Sequence, residues 1–280
     1  MKRVAIVGAG EIGAAVARAL AEHEIVREIR LIDQSSLVAS GKALDILQSG
    51  PLEGSDTRVI GAPSLDAVVG TDVVVIADRH GAGGEWTGTD AAELLRRLLP
   101  LAGRSPLIAA GTHYSDLFRV AHRELGVDAR RLIGSAAEAL ASAARALTGA
   151  ASGASPVDAS VPVLGVPGRW VFGWTDARIG SAPVSARLAP VAIARIESQI
   201  AASWPPGPYA LGSAAASVVQ TIVYGRLRQA TVFTPVEHAL DIRRAVVAVP
   251  VSLDASGVKA VQWPALSVRE RVLLEGALTE

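Results

Sequence analysis

The residues best suited to chemistry in this sequence fall within its first 33 positions. Gly8, Gly10 and Gly13 form a G-x-G-x-x-G run, Gly8-Ala9-Gly10-Glu11-Ile12-Gly13. It follows the apolar segment VAIV directly and opens a helical pattern that continues to Ala21. Asp33 closes a second apolar segment, IRLID, twenty residues after Gly13. A strand, a glycine turn, a helix and a carboxylate at that distance are the parts of a dinucleotide-binding fingerprint. Gly8 permits the tight turn, Gly10 lets the backbone approach a pyrophosphate, and Gly13 lets the helix pack on the strand. The unpaired N–H groups of the helix start then face the phosphates. Asp33 would accept hydrogen bonds from the adenosine ribose and would repel a 2′-phosphate, so the expected cofactor is NAD(H) rather than NADP(H). The expected cofactor-binding set is Gly8, Gly10, Glu11, Ile12, Gly13, Asp33, Ala77, Gly111 and His113, with the Glu11 side chain turned to solvent.

Other residues offer weaker chemistry. His113 follows a strand end, the edge where doubly wound sheets bind ligands, and is a candidate proton donor. His80 sits in a glycine-rich loop and is a second one. Asp78 follows the fourth apolar strand beside the expected cofactor. There it either opposes a pyrophosphate or pairs with Arg79. Glu237 and His238 are adjacent and read as surface positions on a helix, where neighbours diverge. His23 and His122 read as exposed helix positions, and Trp170 and Trp174 as packing residues at a domain or subunit interface. No G-x-S-x-G stretch is present, and the scattered five histidines give no metal cluster.

The elements that must hold these groups change character along the chain. Near-continuous apolar strands are expected at Val4–Gly8, Ile29–Asp33, Arg58–Gly61, Asp72–Ala77, Leu107–Ala110 and Leu132–Gly134. Helices at Ile12–Ala21, Gly41–Leu47, Thr89–Leu99 and Asp116–Leu125 separate them. That alternation predicts an α/β fold, a Rossmann doubly wound parallel sheet, over residues 1–140. Residues 141–280 read as an α+β domain. Ala136–Ala154 starts Ala-rich and helical, then turns Gly/Ser/Pro-rich. Val161–Trp174, Ala182–Leu188, Arg244–Leu253 and Val258–Gln262 look like strands, and Pro190–Ala202 and Tyr209–Leu227 like helices. A closing helix at Ser267–Ala277 starts with a capping box of Ser267 and Glu270.

Composition narrows the function classes. The 280 residues carry 27 Lys+Arg against 27 Asp+Glu, and a balanced charge argues against a nucleic-acid partner. Cysteine is absent, which removes thiolate metal sites, disulfides and thiol nucleophiles. Mean hydropathy is high, at +0.36. The uncharged stretch Ser198–Tyr224 is nevertheless broken by Pro205, Pro206, Gly207 and Pro208, and reads as a buried helix rather than a membrane span. The basic N-terminus reads as a first strand, not a signal peptide. The expectation is a cytoplasmic protein with a small-molecule ligand.

At the level of whole segments the chain resembles the lactate/malate dehydrogenase family, most of all its lactate-dehydrogenase-like malate dehydrogenases. The resemblance is carried by VAIVGAGEIGAAVA, IRLIDQSS, the run GKALDILQSGPLEGSDTRVIGA at Gly41–Ala62, DVVVIA and RLIGS at Arg131–Ser135. VLG at Val163–Gly165, YALGSAAASVV at Tyr209–Val219 and SLDASGVKAV near the C-terminus continue it. It implies an NAD domain followed by a catalytic domain, a homodimer or homotetramer, and hydride transfer to a 2-oxo acid.

The family's acid/base His, its partner Asp, its carboxylate-clamping Arg and its mobile-loop Arg each have a counterpart position here, and each is altered. Pro167 stands at the His position, in Gly165-Val166-Pro167-Gly168-Arg169. Ala141 and Ala144 stand at the Asp and Arg positions, with Arg145 one residue away. His80–Gly88 replaces the mobile loop and carries no arginine, and His113 replaces an Asn. Arg169 and Arg178 are the arginines that could restore an anion contact. The sequence therefore predicts an NAD(H)-binding homologue that is diverged or inactive on 2-hydroxy acids. The alternatives are an oxidoreductase on another substrate with His113 or His80 as proton donor, and a structural protein that has lost NAD.

Overall fold

The computed structural model describes residues 2–81, 84–225, 229–239 and 242–279, without the side chains of 237–239 and 242–245. Six parallel strands open the chain: β1 (Arg3–Val7), β2 (Glu28–Ile32), β3 (Arg58–Ala62), β4 (Val73–Ile76), β5 (Leu107–Ala109) and β6 (Leu132–Gly134). They lie in the order β3-β2-β1-β4-β5-β6. That order makes β1 and β4 neighbours at the centre, so the chain reverses direction there and leaves a crevice at the strands' carboxyl ends. Val4, Ala5, Ile6, Val73, Val74 and Val75 are all buried, which is why these strands read as unbroken apolar runs.

Helices α1 (Glu11–Glu22), α2 (Ser36–Glu53) and α3 (Gly88–Ala102) make the crossovers. α1 buries Ile12, Val16, Ala17 and Leu20 at helical spacing. α2 is longer than the Gly41–Leu47 segment expected, and it carries Gly41 and Pro51 inside it. The stretch after Tyr114 is helical only over α4 (Tyr114–Phe118) before the backbone widens. His122 is half-buried there, not exposed, with Nδ1 2.9 Å from the Val127 carbonyl.

The second half extends the same sheet. β12 (Gln229–Ala239) pairs antiparallel with β6 at Phe233 and Gly134, and β13 (Ile242–Asp254) follows it. The hairpin of β8 (Val163–Val166) and β9 (Arg169–Phe172) continues the sheet, and β14 (Gly257–Val261) pairs with β13. A small three-stranded sheet of β7 (Ala159–Ser160), β10 (Arg178–Ile179) and β11 (Ala182–Pro183) stands apart. The strand expected over Ala182–Leu188 is cut to two residues by a helical turn at Val184–Ala186. β12 was not foreseen, and it corrects the helix reading of Glu237 and His238: both are in a strand, and their side chains lie outside the described residues.

Helices α5 (Ala136–Ser152), α6 (Pro190–Ala202), α7 (Pro208–Tyr224) and α8 (Val268–Thr279) complete the fold. α7 buries Leu211, Ala215, Val218, Val219 and Ile222. It crosses α1 so closely that a Cβ on Gly212 would lie 2.5 Å from that of Ala15. The uncharged stretch is therefore a core helix, and among the described residues no helix is long and apolar enough to cross a membrane. Trp170 packs its ring against Trp204 and Phe233 where two apolar clusters meet. The capping box of α8 is formed: Glu270 Oε2 accepts from the Ser267 N–H at 2.7 Å, and Ser267 Oγ accepts from the Glu270 N–H at 3.3 Å.

Candidate functional site

The glycine turn joins β1 to α1 at the centre of the sheet. Gly8 has φ +110°, a backbone conformation open to glycine but strained for other residues. A Cβ on Gly13 would lie 2.0 Å from the Gly8 carbonyl oxygen, so α1 can rest on the turn only with glycine at that position. Lys42, from the GKALD segment, clamps the turn from behind. Its ammonium donates to the carbonyls of Ala9 and Gly10 at 2.7 and 2.8 Å. This role escaped the sequence reading. The available signal was that Lys42 is one of only three lysines in a chain that otherwise uses arginine.

Asp33 lies at the end of β2 and is buried. Its Oδ2 accepts from the N–H groups of Ala9 at 2.9 Å and His80 at 3.2 Å, and its Oδ1 accepts from Ser35 at 3.0 Å. Burial pushes its pKa up. The three N–H groups and the nearby His80 outweigh that and hold the carboxyl below its usual range. A carboxylate offers about four acceptor positions, so one remains for a hydroxyl. Asp33 faces a cleft of about 470 Å³ lined among others by Gly8, Ile32, Pro63, Leu65, His80 and Trp86. Its walls mix apolar and polar groups, and its volume falls in the range of small-ligand sites.

One step along the turn the arrangement differs. Asp78 Oδ2 accepts from the Glu11 N–H at 2.8 Å, and Oδ1 accepts from the Gly13 N–H at 3.0 Å. The first free amides of α1 thus already hold a carboxylate. Of the two roles expected for Asp78, pairing with Arg79 is replaced: Arg79 meets Asp90 at 2.8 Å and lies over the Trp86 ring, 4.5 Å from its centre. Trp86 Nε1 donates to the Ala77 carbonyl at 2.9 Å. Glu11 is exposed, while Ile12 and Ala77 are buried.

Glu85 occupies the end of β5. It accepts from the His113 N–H at 2.7 Å and from Thr112 Oγ1 at 3.2 Å, and its Oε1 is 3.3 Å from His113 Nδ1. A Cβ on Gly111 would lie 1.9 Å from Glu85 Oε2. The sequence reading did not single out Glu85, because a lone loop glutamate carries no local signal. Glu11, Ile12, Asp78, Glu85 and His113 border a second opening that reaches Pro205 and Leu211.

The remaining candidates are far from this chemistry in character. Ala141 and Ala144 are buried in an apolar cluster with Leu140, Val163 and Phe172. Arg145 is turned to Glu138 at 2.7 Å, and Glu138 in turn accepts from the Thr231 N–H at 2.7 Å. Pro167 is exposed at the tip of the β8–β9 hairpin, with Gly168 at φ +83°. Arg169 pairs in register with Val166 across that hairpin, and Arg178 donates to the Ser181 carbonyl at 3.3 Å. His23 is exposed at the end of α1. Among the described residues no group of three or more His, Asp or Glu side chains could hold a metal ion.

Three comparisons bear on this arrangement. Residues 2–85 match the family model for the NAD binding domain of lactate/malate dehydrogenase. Over its whole length the chain is similar to a malate dehydrogenase of Thermomicrobium roseum, 28% identical over 98% of this chain and 94% of that one. It is also similar to an L-lactate dehydrogenase of Geotalea daltonii, 27% identical over 98% and 96%. Among solved structures, a malate dehydrogenase from Salinibacter ruber superposes with a TM-score of 0.87 at 24% identity, covering 98% of this chain and 93% of that one. The fold is therefore that of these enzymes, and residues 2–85 are similar to their NAD-binding domain.

Proposed function

We infer that this chain is a lactate/malate dehydrogenase family protein with an NAD-binding domain that no longer transfers hydride to 2-oxo acids. The observation that carries the inference is the pair Ala141 and Ala144, buried in an apolar cluster at the positions where the resemblance expects an orienting Asp and a clamping Arg. Pro167, at the expected acid/base position, cannot carry a proton. General acid–base catalysis is worth about 10²–10⁴-fold, and oriented electrostatic stabilisation about another 10²–10³-fold. The absence of those groups at their positions supports a protein whose role is binding rather than turnover. The division into a 1–140 Rossmann domain and a 141–280 α+β domain, a cytoplasmic location and a homodimer or homotetramer belong to the same reading.

The NAD fit is uneven. The open cleft by Asp33 suits the adenosine end, whereas the diphosphate position at α1 is filled by Asp78. The deciding experiment incubates the purified chain with NADH and oxaloacetate or pyruvate. No oxidation above the protein-free rate is expected, and robust reduction of either acid overturns the inference.

A second reading has one observation behind it. Glu85 sits against both the backbone and the ring of His113, whose side chain is 63% exposed. A carboxylate that orients an accessible imidazole is the arrangement of a general acid/base. Under this reading the chain is an oxidoreductase for a different substrate. Its test is NADH oxidation across a panel of uncharged carbonyl compounds, with turnover abolished by His113→Ala.

A further inference from the structure

We propose that Asp78 is an internal competitor for the cofactor's diphosphate, so that this cleft accepts a nucleoside ahead of a dinucleotide. The proposal rests on the NAD reading above and specifies which part of that ligand the chain itself opposes. The Glu11 and Gly13 N–H groups are the donors a diphosphate needs at a turn of this kind. Both are given to one carboxylate, at 2.8 and 3.0 Å. The space that Gly10 leaves by lacking a Cβ is filled as well: a Cβ there would lie 2.2 Å from Asp78 Oδ2. The backbone of Asp78 is tethered to the same turn. Gly10 N–H donates to the Asp78 carbonyl at 2.9 Å, and a Cβ on Gly8 would lie 2.4 Å from that oxygen. A fixed main chain therefore delivers this carboxylate to the amides.

A second carboxylate points the same way. Glu85 covers Gly111 at the far end of the crevice and is held there by His113 and Thr112. A dinucleotide stretched across the sheet edge meets a negative group at its diphosphate and another beyond it. The adenosine end meets neither. There the cleft is open, and Asp33 keeps one acceptor position for a ribose hydroxyl. An uncharged nucleoside can enter without displacing either carboxylate, whereas ADP or NAD(H) must dislodge Asp78.

Calorimetry on the full chain and on Asp78→Ala, with adenosine, ADP and NADH as probes, tests this. Adenosine should bind both proteins alike, while ADP and NADH should bind the variant ~10–100-fold more tightly, the range expected for freeing charge-assisted amide hydrogen bonds. If far-UV circular dichroism shows that Asp78→Ala does not fold, Asp78→Asn replaces it, with a smaller gain in the same direction. ADP and NADH binding the wild type as tightly as the folded variant, with adenosine binding intact, overturns the competitor and leaves the NAD reading in place. Failure of all three probes on every folded protein removes the NAD reading, and the competitor with it.

Discussion

Two aspartates meet the same glycine turn, and they do opposite things. Asp33 approaches from β2 and takes the Ala9 N–H. Asp78 approaches from the end of β4 and takes those of Glu11 and Gly13. Asp33 is buried and spreads its bonds over three separate segments, at Ala9, Ser35 and His80. Asp78 is half-buried, and both its carboxylate bonds go to the start of one helix. The first therefore joins loops that would otherwise be separate and builds the rim of a cleft. The second compensates a helix end that a ligand or water could compensate equally well. One functional group, on amides a few residues apart in the same turn, is architecture in one case and obstruction in the other.

That contrast can be broken by removing each group in turn. The largest effect on stability is expected from Asp33→Ala, which strands the buried Ala9 N–H and the part-buried N–H donors of Ser35 and His80. A loss of about 3 kcal/mol is expected in urea denaturation, from the cost of unsatisfied buried groups. Lys42→Ala should follow at about 1–2 kcal/mol, since two carbonyls of the turn lose a charged donor. Smallest should be Asp78→Ala, at about 1 kcal/mol, because one of the two freed amides, that of Glu11, lies at an exposed helix start and only that of Gly13 is covered. If Asp78→Ala costs as much as Asp33→Ala, the two residues are both structural and the distinction fails.

Acid titration sharpens the same comparison. Asp33 has a folded pKa below its unfolded value, so its contribution to stability is fully present above the unfolded pKa. It is lost as pH falls through the lower, folded one. Glu270 behaves alike: burial raises its pKa, and the bonds from Thr175 and Ser267 more than reverse that. The urea midpoint should therefore fall as pH drops below about 4, near the reference carboxylate values. Asp33→Asn should lose less over that window than the wild type. An unchanged acid slope in Asp33→Asn would remove the assigned role of this carboxylate.

How much of this could be read in advance depended on how local the signal was. The central parallel strands announced themselves because they are buried on both faces and so are almost wholly apolar, as in VVVI at Val73–Ile76 and LIA at Leu107–Ala109. The glycine spacing was equally plain, since φ +110° at Gly8 and the contact of Gly13 with the turn are demands a short sequence can show. β12 was missed because Thr231, Thr234 and Pro235 interrupt its apolar run, and it is fixed by pairing with β13, the next strand, and with β6, far away in sequence. α2 outran its expected ends because Gly41 is exposed and Pro51 lies in the last turn, where neither stops the helix. In the site, sequence could flag Asp78 as a carboxylate beside the turn but not its direction. That is set by the tether between its carbonyl and Gly10. Glu85 and Lys42 act across long separations, and no spacing rule reaches them.

Trp86 gives the cleft an optical handle of its own. Its indole lines the opening by Asp33, is pinned to the Ala77 carbonyl and carries the Arg79 guanidinium on its face. Trp170 and Trp204 sit together in the aromatic cluster by Phe233. A guest entering beside Asp33 should change the emission of one indole while those two stay constant. Replacing Trp86 by Phe would then separate the cleft's signal from the background glow of the interior.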